Sequence, residues 1–468
     1  MTPMPNRSRP LTALLLLAGL LGLASDVRGD VLVRWDQDEV PPRDRLGISA
    51  LLIPVSSTAA VQDAVAKGYD VYLEVDGSAM PDRLPIDRPA GIVVRGSASP
   101  EQLRRLQGSS GARVLAVEER GKWPHIRLNW VTRRNDVLQV SSRTAQPWIE
   151  HNASLVRIAQ AAQPGHPPLL FYGWEPITLS DMHEGPALEN YLVAIAESGS
   201  FGSDLVLPLH EGLQRGLLLG RPVERAIWQQ IRSYLEFYAW NLPRQYRPLA
   251  TIGLVAAEPM RSFEITNLLA RHNLPFELMA PGELPARGLE SLDILVVVDS
   301  PPAGEVALLS EFARKGGTLV LIAPQGTFPW RDTEPAQATE QETSYGFGAG
   351  RVVELAAPVV DPNAFAMQIR ELLGREKRIV DVWNGITVMT ALYGDKEGRT
   401  VMLTALNYAH EPLPVQLRVR GTYALAHFES PETGEAELLP LRRRDGYTEF
   451  VLPALRIGGR VFLTNSGQ

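Results

Sequence analysis

Between residues 290 and 324, ESLDILVVVDSPPAGEVALLSEFARKGGTLVLIAP, the apolar positions fall into two different rhythms. Ile294 to Val298 and Thr318 to Ile322 are continuous runs of leucine and β-branched residues, the pattern of parallel strands buried on both faces. Between them Val306, Leu308, Leu309, Phe312 and Ala313 recur at helical spacing, and Gly316-Gly317 supplies a stop. The stretch predicts one βαβ unit. Just upstream, Thr251 to Val255 reads as a strand, Ser262 to His272 as a helix and Phe276 to Met279 as a further strand. A small open α/β domain of the flavodoxin type is therefore expected over residues 247–355, with other domains on either side.

On its N-terminal side, short apolar runs appear at Val31 to Trp35, Ala50 to Pro54, Val71 to Val75, Gly91 to Arg95, Arg113 to Val117, Val137 to Ser141, Leu169 to Trp174 and Asp204 to Leu209. Helix-like segments lie between several of them: Ser57 to Lys67, Pro100 to Gln107, Pro147 to Ala162, Pro186 to Glu197 and Val223 to Trp240. Ser99 ahead of Pro100 and Gln102 has the form of an N-cap and first turn. Eight strands alternating with helices predict a (β/α)8 TIM-like barrel over residues 30–245, with a doubly wound open sheet as the alternative. His125 to Trp130 offers another strand, and the first run reads equally as an outer hairpin.

The C-terminal part changes period. After a short helix at Ala364 to Leu373, runs at Val380, Ile386, Val401, Val415, Ala424, Ala436, Thr448 and Val461 are separated by turn signals such as Asn384-Gly385 and Asp445-Gly446. In Val415-Gln416-Leu417-Arg418-Val419-Arg420 the alternation is strict, so one face should be buried and the other wet. An antiparallel β-sandwich is expected over residues 356–468, serving as a packing domain or as a carbohydrate-binding module. Residues 327–349 are polar and aperiodic and read as a surface loop, and Gly346 to Gly350 as a turn into the strand Arg351 to Leu355 rather than a phosphate cradle.

Composition narrows the function classes. With 468 residues, 45% of them hydrophobic, the chain can fill two or three cores. A net charge of -7 disfavours nucleic acid as a partner. Arg7 and Arg9, then the apolar stretch Leu11 to Ala24 and the residues up to Gly29, have the form of a cleaved signal peptide over residues 1–29, so a secreted or periplasmic location is expected. Cleavage there would remove three arginines and one aspartate and move the charge from -7 to -9. The chain has no cysteine, and hence no disulfide, thiol nucleophile or thiolate metal site. Its eight histidines form no HExxH and no close pair, so neither a metal nor a cofactor is expected.

In a barrel, chemistry gathers where the strands end. Glu175, in LLFYGWEP, follows an apolar strand directly and lies between Trp174 and Pro176, neighbours that partly desolvate a carboxyl and raise its pKa toward acid/base use. Glu118 and Glu119, in RVLAVEERGKW, hold a similar place after another strand, and Glu211 beside His210 is a third candidate. Two carboxylates across a barrel mouth are the minimum machinery for glycoside hydrolysis. Trp123, His125, Asn129 and Trp174 add aromatic faces and fixed donors of the kind that hold a sugar. The plainer readings are that Glu118-Glu119 is a solvated turn beside Arg120 and Lys122, that Glu175 caps a helix or forms an ion pair, and that the tryptophans close the core.

The central unit resembles the class I glutamine amidotransferase-like fold, without the cysteine that activity requires. Its place after a barrel and before a small β domain resembles the β-galactosidases of glycoside hydrolase family 42, over residues 30–465. The resemblance implies an oligomer-building (trimerisation) role for the middle domain, an oligosaccharide or polysaccharide substrate, an acid/base glutamate after strand four and a nucleophile glutamate after strand seven. Counted from Val31, Glu175 takes the nucleophile place, as nucleophile or base, but strand four ends at Arg95-Gly96 without a carboxylate. Counted without the first run, Glu118-Glu119 follows strand four and Glu211 the seventh. The expectation is an exported glycoside hydrolase-like protein or, alternatively, a catalytically inactive carbohydrate-binding or scaffold protein of the cell envelope.

Overall fold

The computed structural model describes residues 31–117, 132–134, 137–139, 149, 151–162, 167–174, 183, 185–238, 246–284, 288–301, 303–395, 397–409 and 411–465. Seven strands form a parallel N-terminal sheet: β1 (Val31–Arg34), β2 (Ala50–Pro54), β3 (Asp70–Asp76), β4 (Gly91–Arg95), β5 (Arg113–Ala116), β8 (Leu169–Phe171) and β9 (Asp204–Pro208), in the order β5-β4-β3-β2-β1-β9-β8. A single parallel bridge from Val117 to Leu169 joins the two edges, so the sheet curls into a nearly closed barrel. Side chains alternate between its two faces. Leu32, Leu52, Tyr72, Val93, Leu115, Leu169, Phe171 and Val206 fill the interior, while Val33, Leu51, Ile53, Val71, Leu73, Leu205 and Leu207 pack outward against helices.

The helix Pro100–Ser110 starts as its sequence predicts: the Gln102 N–H donates to Ser99 Oγ at 3.1 Å and the Ser99 N–H to Gln102 Oε1 at 2.7 Å, a reciprocal capping box. One strand expectation needs correction. The run beginning at Val137 does not join the barrel: β6 (Thr132–Arg134) and β7 (Val137–Gln139) pair antiparallel, Arg134 opposite Val137. The run holds only three apolar residues, Val137, Leu138 and Val140, with Arg133, Arg134 and Asp136 just ahead of it, and two residues separate β6 from β7 in the sequence, so local hairpin pairing wins over insertion into a buried ring.

The middle sheet has the order β12-β11-β13-β14-β17-β16-β15. Its parallel part consists of β12 (Phe276–Met279), β11 (Ile252–Val255), β13 (Ile294–Val297), β14 (Thr318–Ile322) and β17 (Gly350–Leu355), with the helix Val306–Arg314 between β13 and β14 as the two rhythms predict. Every residue of β13 and β14 is buried. The segment expected to be a loop is instead partly an edge: β15 (Gln337–Ala338) and β16 (Glu342–Phe347) extend the sheet antiparallel. Tyr345 is the buried residue of β16, and Phe347 packs on the same core; one-faced burial at an edge leaves little apolar signal. The helix Pro362–Lys377 lays Phe365, Ala366, Ile369 and Leu373 on this sheet.

The C-terminal part forms two antiparallel sheets that face each other over a core that includes Val388, Leu403, Val415, Leu417, Val419, Phe428 and Val461. In β21 (Leu413–Arg420) the inward positions Val415, Leu417 and Val419 are buried as expected, but so is Arg418, which pairs with Asp381 across β18 (Val380–Val382). The edge strand β10 (Tyr246–Pro248) comes from the stretch between barrel and middle domain and pairs antiparallel with β19 (Val388–Asp395). Among the described residues, no helix is long and apolar enough to cross a membrane.

Candidate active site

The inward-facing parity of the barrel strands fixes what stands at its mouth. One step beyond Leu32, Tyr72, Val93 and Leu169 in that parity come Arg34, Glu74, Arg95 and Phe171, at the C-terminal ends of β1, β3, β4 and β8. Glu74 has both oxygens engaged: Arg34 Nε donates to Oε2, and Arg95 Nη1 donates to Oε1 at 3.1 Å. The other arm of Arg34 pairs with Asp36. The Arg95 guanidinium lies 3.9 Å from the Phe171 ring centroid, over the topmost interior side chain. Together they form a polar lid on the apolar barrel core, in which Glu74 is the clamp between two cations.

Around this layer the chain is packed tightly. Trp35 is completely buried and its Nε1 donates to Glu39 O at 2.8 Å, so it closes the core. Asp76 is fully exposed; the Ser78 hydroxyl and N–H both donate to it and hold its carboxyl below the ordinary range. Trp174 is half-buried against the core between barrel and helices, and its Nε1 has no hydrogen-bond partner among the described residues. Glu211 opens the helix Glu211–Leu218, is exposed and pairs with Arg215 one turn on, a solvated helix face. Its neighbour His210 caps that helix through Nδ1, which accepts from the Gly212 N–H at 3.2 Å. Glu118, Glu119, Trp123, His125, Asn129 and Glu175 lie outside the described residues. In the sequence, Glu118 directly follows Val117, which makes the closing bridge, and Glu175 comes four residues after Phe171, the last residue of β8.

In the core outside the barrel stands a carboxylate that sequence reasoning did not single out. Glu197, in the helix Leu188–Phe201, is completely buried and accepts four hydrogen bonds. Asn152 Nδ2 (2.7 Å) and Tyr172 Oη (3.0 Å) donate to Oε1; the Asn152 N–H (2.9 Å) and Tyr408 Oη (2.7 Å) donate to Oε2. Burial raises its pKa and the four donors pull it back, with burial ahead. Tyr172 directly follows the barrel strand β8 and Tyr408 belongs to the sandwich, so this carboxylate ties the two domains together. Among the described residues, no group of three His, Asp or Glu side chains is placed to hold a metal ion.

No model of a known protein family matches the sequence, and no curated protein matches it. Solved structures do match. An α-L-fucosidase, isoenzyme 2 from Paenibacillus thiaminolyticus, superposes over 93% of this chain and 100% of its own, at a TM-score of 0.55 and 11% sequence identity. An exo-β-1,4-mannosidase from Opitutaceae bacterium strain TAV5 covers 73% of this chain and 94% of its own, at a TM-score of 0.46 and 12% identity. A family 42 β-galactosidase from G. stearothermophilus covers 78% of this chain, which spans 65% of that protein, at a TM-score of 0.44 and 12% identity. At such identities the likeness concerns the fold: the chain has a glycoside-hydrolase-like architecture.

Proposed function

We propose that this chain is an exported glycoside hydrolase-like protein that cleaves a glycosidic bond of an oligosaccharide or polysaccharide at the barrel mouth. The observation that carries the reading is the bridge from Val117 to Leu169, because in the sequence Glu118-Glu119 directly follows Val117 and Glu175 comes four residues after Phe171, the last residue of β8. One of the first pair would protonate the leaving glycosidic oxygen as the bond to the anomeric carbon breaks. Glu175 would attack that carbon or take a proton from the attacking water. A separation of about 5 to 5.5 Å between the two carboxyl groups would make the enzyme retaining, and about 6.5 to 9.5 Å inverting. Trp174 at the rim, with Trp123, His125 and Asn129, would position the sugar ring. The middle domain is the proposed contact for a homo-oligomer.

The test is a screen of the purified protein against aryl glycosides, repeated with Glu175→Gln. Turnover should fall at least about a thousandfold in the variant if Glu175 is nucleophile or base; unchanged turnover ends the assignment. The second reading, a catalytically inactive carbohydrate-binding or scaffold protein, draws on the Arg34–Glu74–Arg95 clamp, which spends an inward-facing carboxylate of the mouth on ion pairs. It predicts saccharide binding with no turnover of any glycoside.

A further inference from the structure

Where the middle domain meets the sandwich lies an open cleft. Its walls are the C-terminus of the helix Phe263–Arg271, one face of the helix Pro362–Lys377, β18, and the turn that follows it. Three guanidiniums line it, those of Arg271, Arg370 and Arg378, against one carboxylate, Asp381. Asp381 is buried and already taken: Arg378 Nη1 lies 2.6 Å from Oδ1, and Arg418 pairs with Oδ2 from behind the wall. Arg370 stands 3.8 Å from the same Oδ1, a loose contact for a side chain one-third exposed. Arg271 donates from Nη2 to Ile386 O at 2.6 Å. The lining therefore carries an excess of positive charge in a chain whose net charge is -7.

Burial pushes the pKa of Arg271 down to about 10. Burial likewise lowers Arg378, with crowding by Arg370, Arg418 and Arg375 acting in the same direction against Asp381, and its Nε is buried without a hydrogen-bond partner among the described residues. His272, also in the lining, is held below its ordinary value by burial, then by Arg271 and Arg370, despite the bond to Asn363. At the rim, two large apolar side chains stand in water, Trp383 at 41% and Ile386 at 48% exposure. Guanidiniums recognise carboxylate and sulfate oxygens in their own plane. An indole face recognises the C–H face of a sugar ring.

We propose that this cleft binds an acidic saccharide, its carboxylate or sulfate held by Arg271, Arg370 and Arg378 and its ring laid against Trp383. The proposal is independent of any chemistry at the barrel mouth, some distance along the chain and on other elements. Calorimetric titration of the full chain with trigalacturonate, a neutral trisaccharide and inorganic sulfate tests it, with a mononucleotide as the competing aromatic anion. Trigalacturonate should bind, more weakly as salt is raised, and the neutral sugar should not. Loss of one charge-assisted contact in Arg370→Gln should weaken trigalacturonate roughly tenfold or more. Trp383→Ala should bring trigalacturonate down to the affinity of sulfate. Both substituted side chains are partly exposed, and an unchanged unfolding temperature verifies that the variants fold. The proposal is overturned if the wild-type chain fails to bind trigalacturonate, binds the neutral sugar equally or the mononucleotide more tightly, or if either variant binds trigalacturonate as the wild type does.

Discussion

Replacing Glu197 by leucine probes the tie between barrel and sandwich. Leucine is close to glutamate in size but accepts nothing, so the Asn152 N–H, Asn152 Nδ2, Tyr172 Oη and Tyr408 Oη are left as buried donors aimed at an apolar branch. Each orphaned donor costs about 1 to 3 kcal/mol. Removing the buried charge returns part of this, because burial already disfavours the ionised form. The expected net loss is about 3 to 5 kcal/mol, the usual result of deleting one member of a buried charged network. Urea unfolding followed by tryptophan fluorescence measures it. Adding Tyr172→Phe and Tyr408→Phe removes two of the orphans and should recover part of the loss, so the substitutions couple strongly instead of adding. The pH dependence has a definite sign. With the folded-state pKa raised above 4.5, the group's contribution is fully present below that value and is lost as pH rises through the folded value, so the gap between wild type and variant should be widest in acid. A leucine variant as stable as the wild type, or a triple variant whose loss is the sum of its parts, would refute the reasoning.

Two further outcomes are expected. Ser99→Ala removes the reciprocal cap of the helix Pro100–Ser110 and should cost about 1 kcal/mol in the same unfolding experiment; no change would mean that the first turn contributes nothing to stability. Glu74→Gln leaves Arg34 and Arg95 sharing a neutral amide at a side chain only 10% exposed, and should lower stability by about 2 kcal/mol, which thermal unfolding would detect as a reduced midpoint.

Much of the architecture was legible because burial on both faces leaves an unmistakable mark. Ile294 to Val297 and Thr318 to Ile322 are apolar throughout, and the structure buries every one of them in parallel strands. The barrel followed from the same kind of run, and the helix start at Ser99 from local chemistry alone. Partial burial was harder to read. Val137 to Gln139 looks like a strand and is one, but apolar content says nothing about which partner it takes. Arg418 occupies the polar parity of its strand yet is buried, because Asp381 stands opposite it in register. At the candidate site, Trp174 and Glu211 could be placed by strand and helix ends, and Glu74 stands among the polar residues that a barrel reading marks at its strand ends. Glu197 could not: its partners are 45, 25 and 211 residues away, and only the assembled fold brings them together.

The strand β10 has a consequence for how the molecule is made. Tyr246 leaves the ribosome long before Asp395, the residue it pairs with, so a nascent chain carries an unmatched edge while the middle domain is still being synthesised. That domain can close around its own parallel sheet in the interval. The barrel cannot be fastened until Tyr408 has emerged to reach Glu197. A chain released early would thus be left with a finished centre and two unsecured ends, which makes the last hundred residues the step that commits the whole protein to its fold.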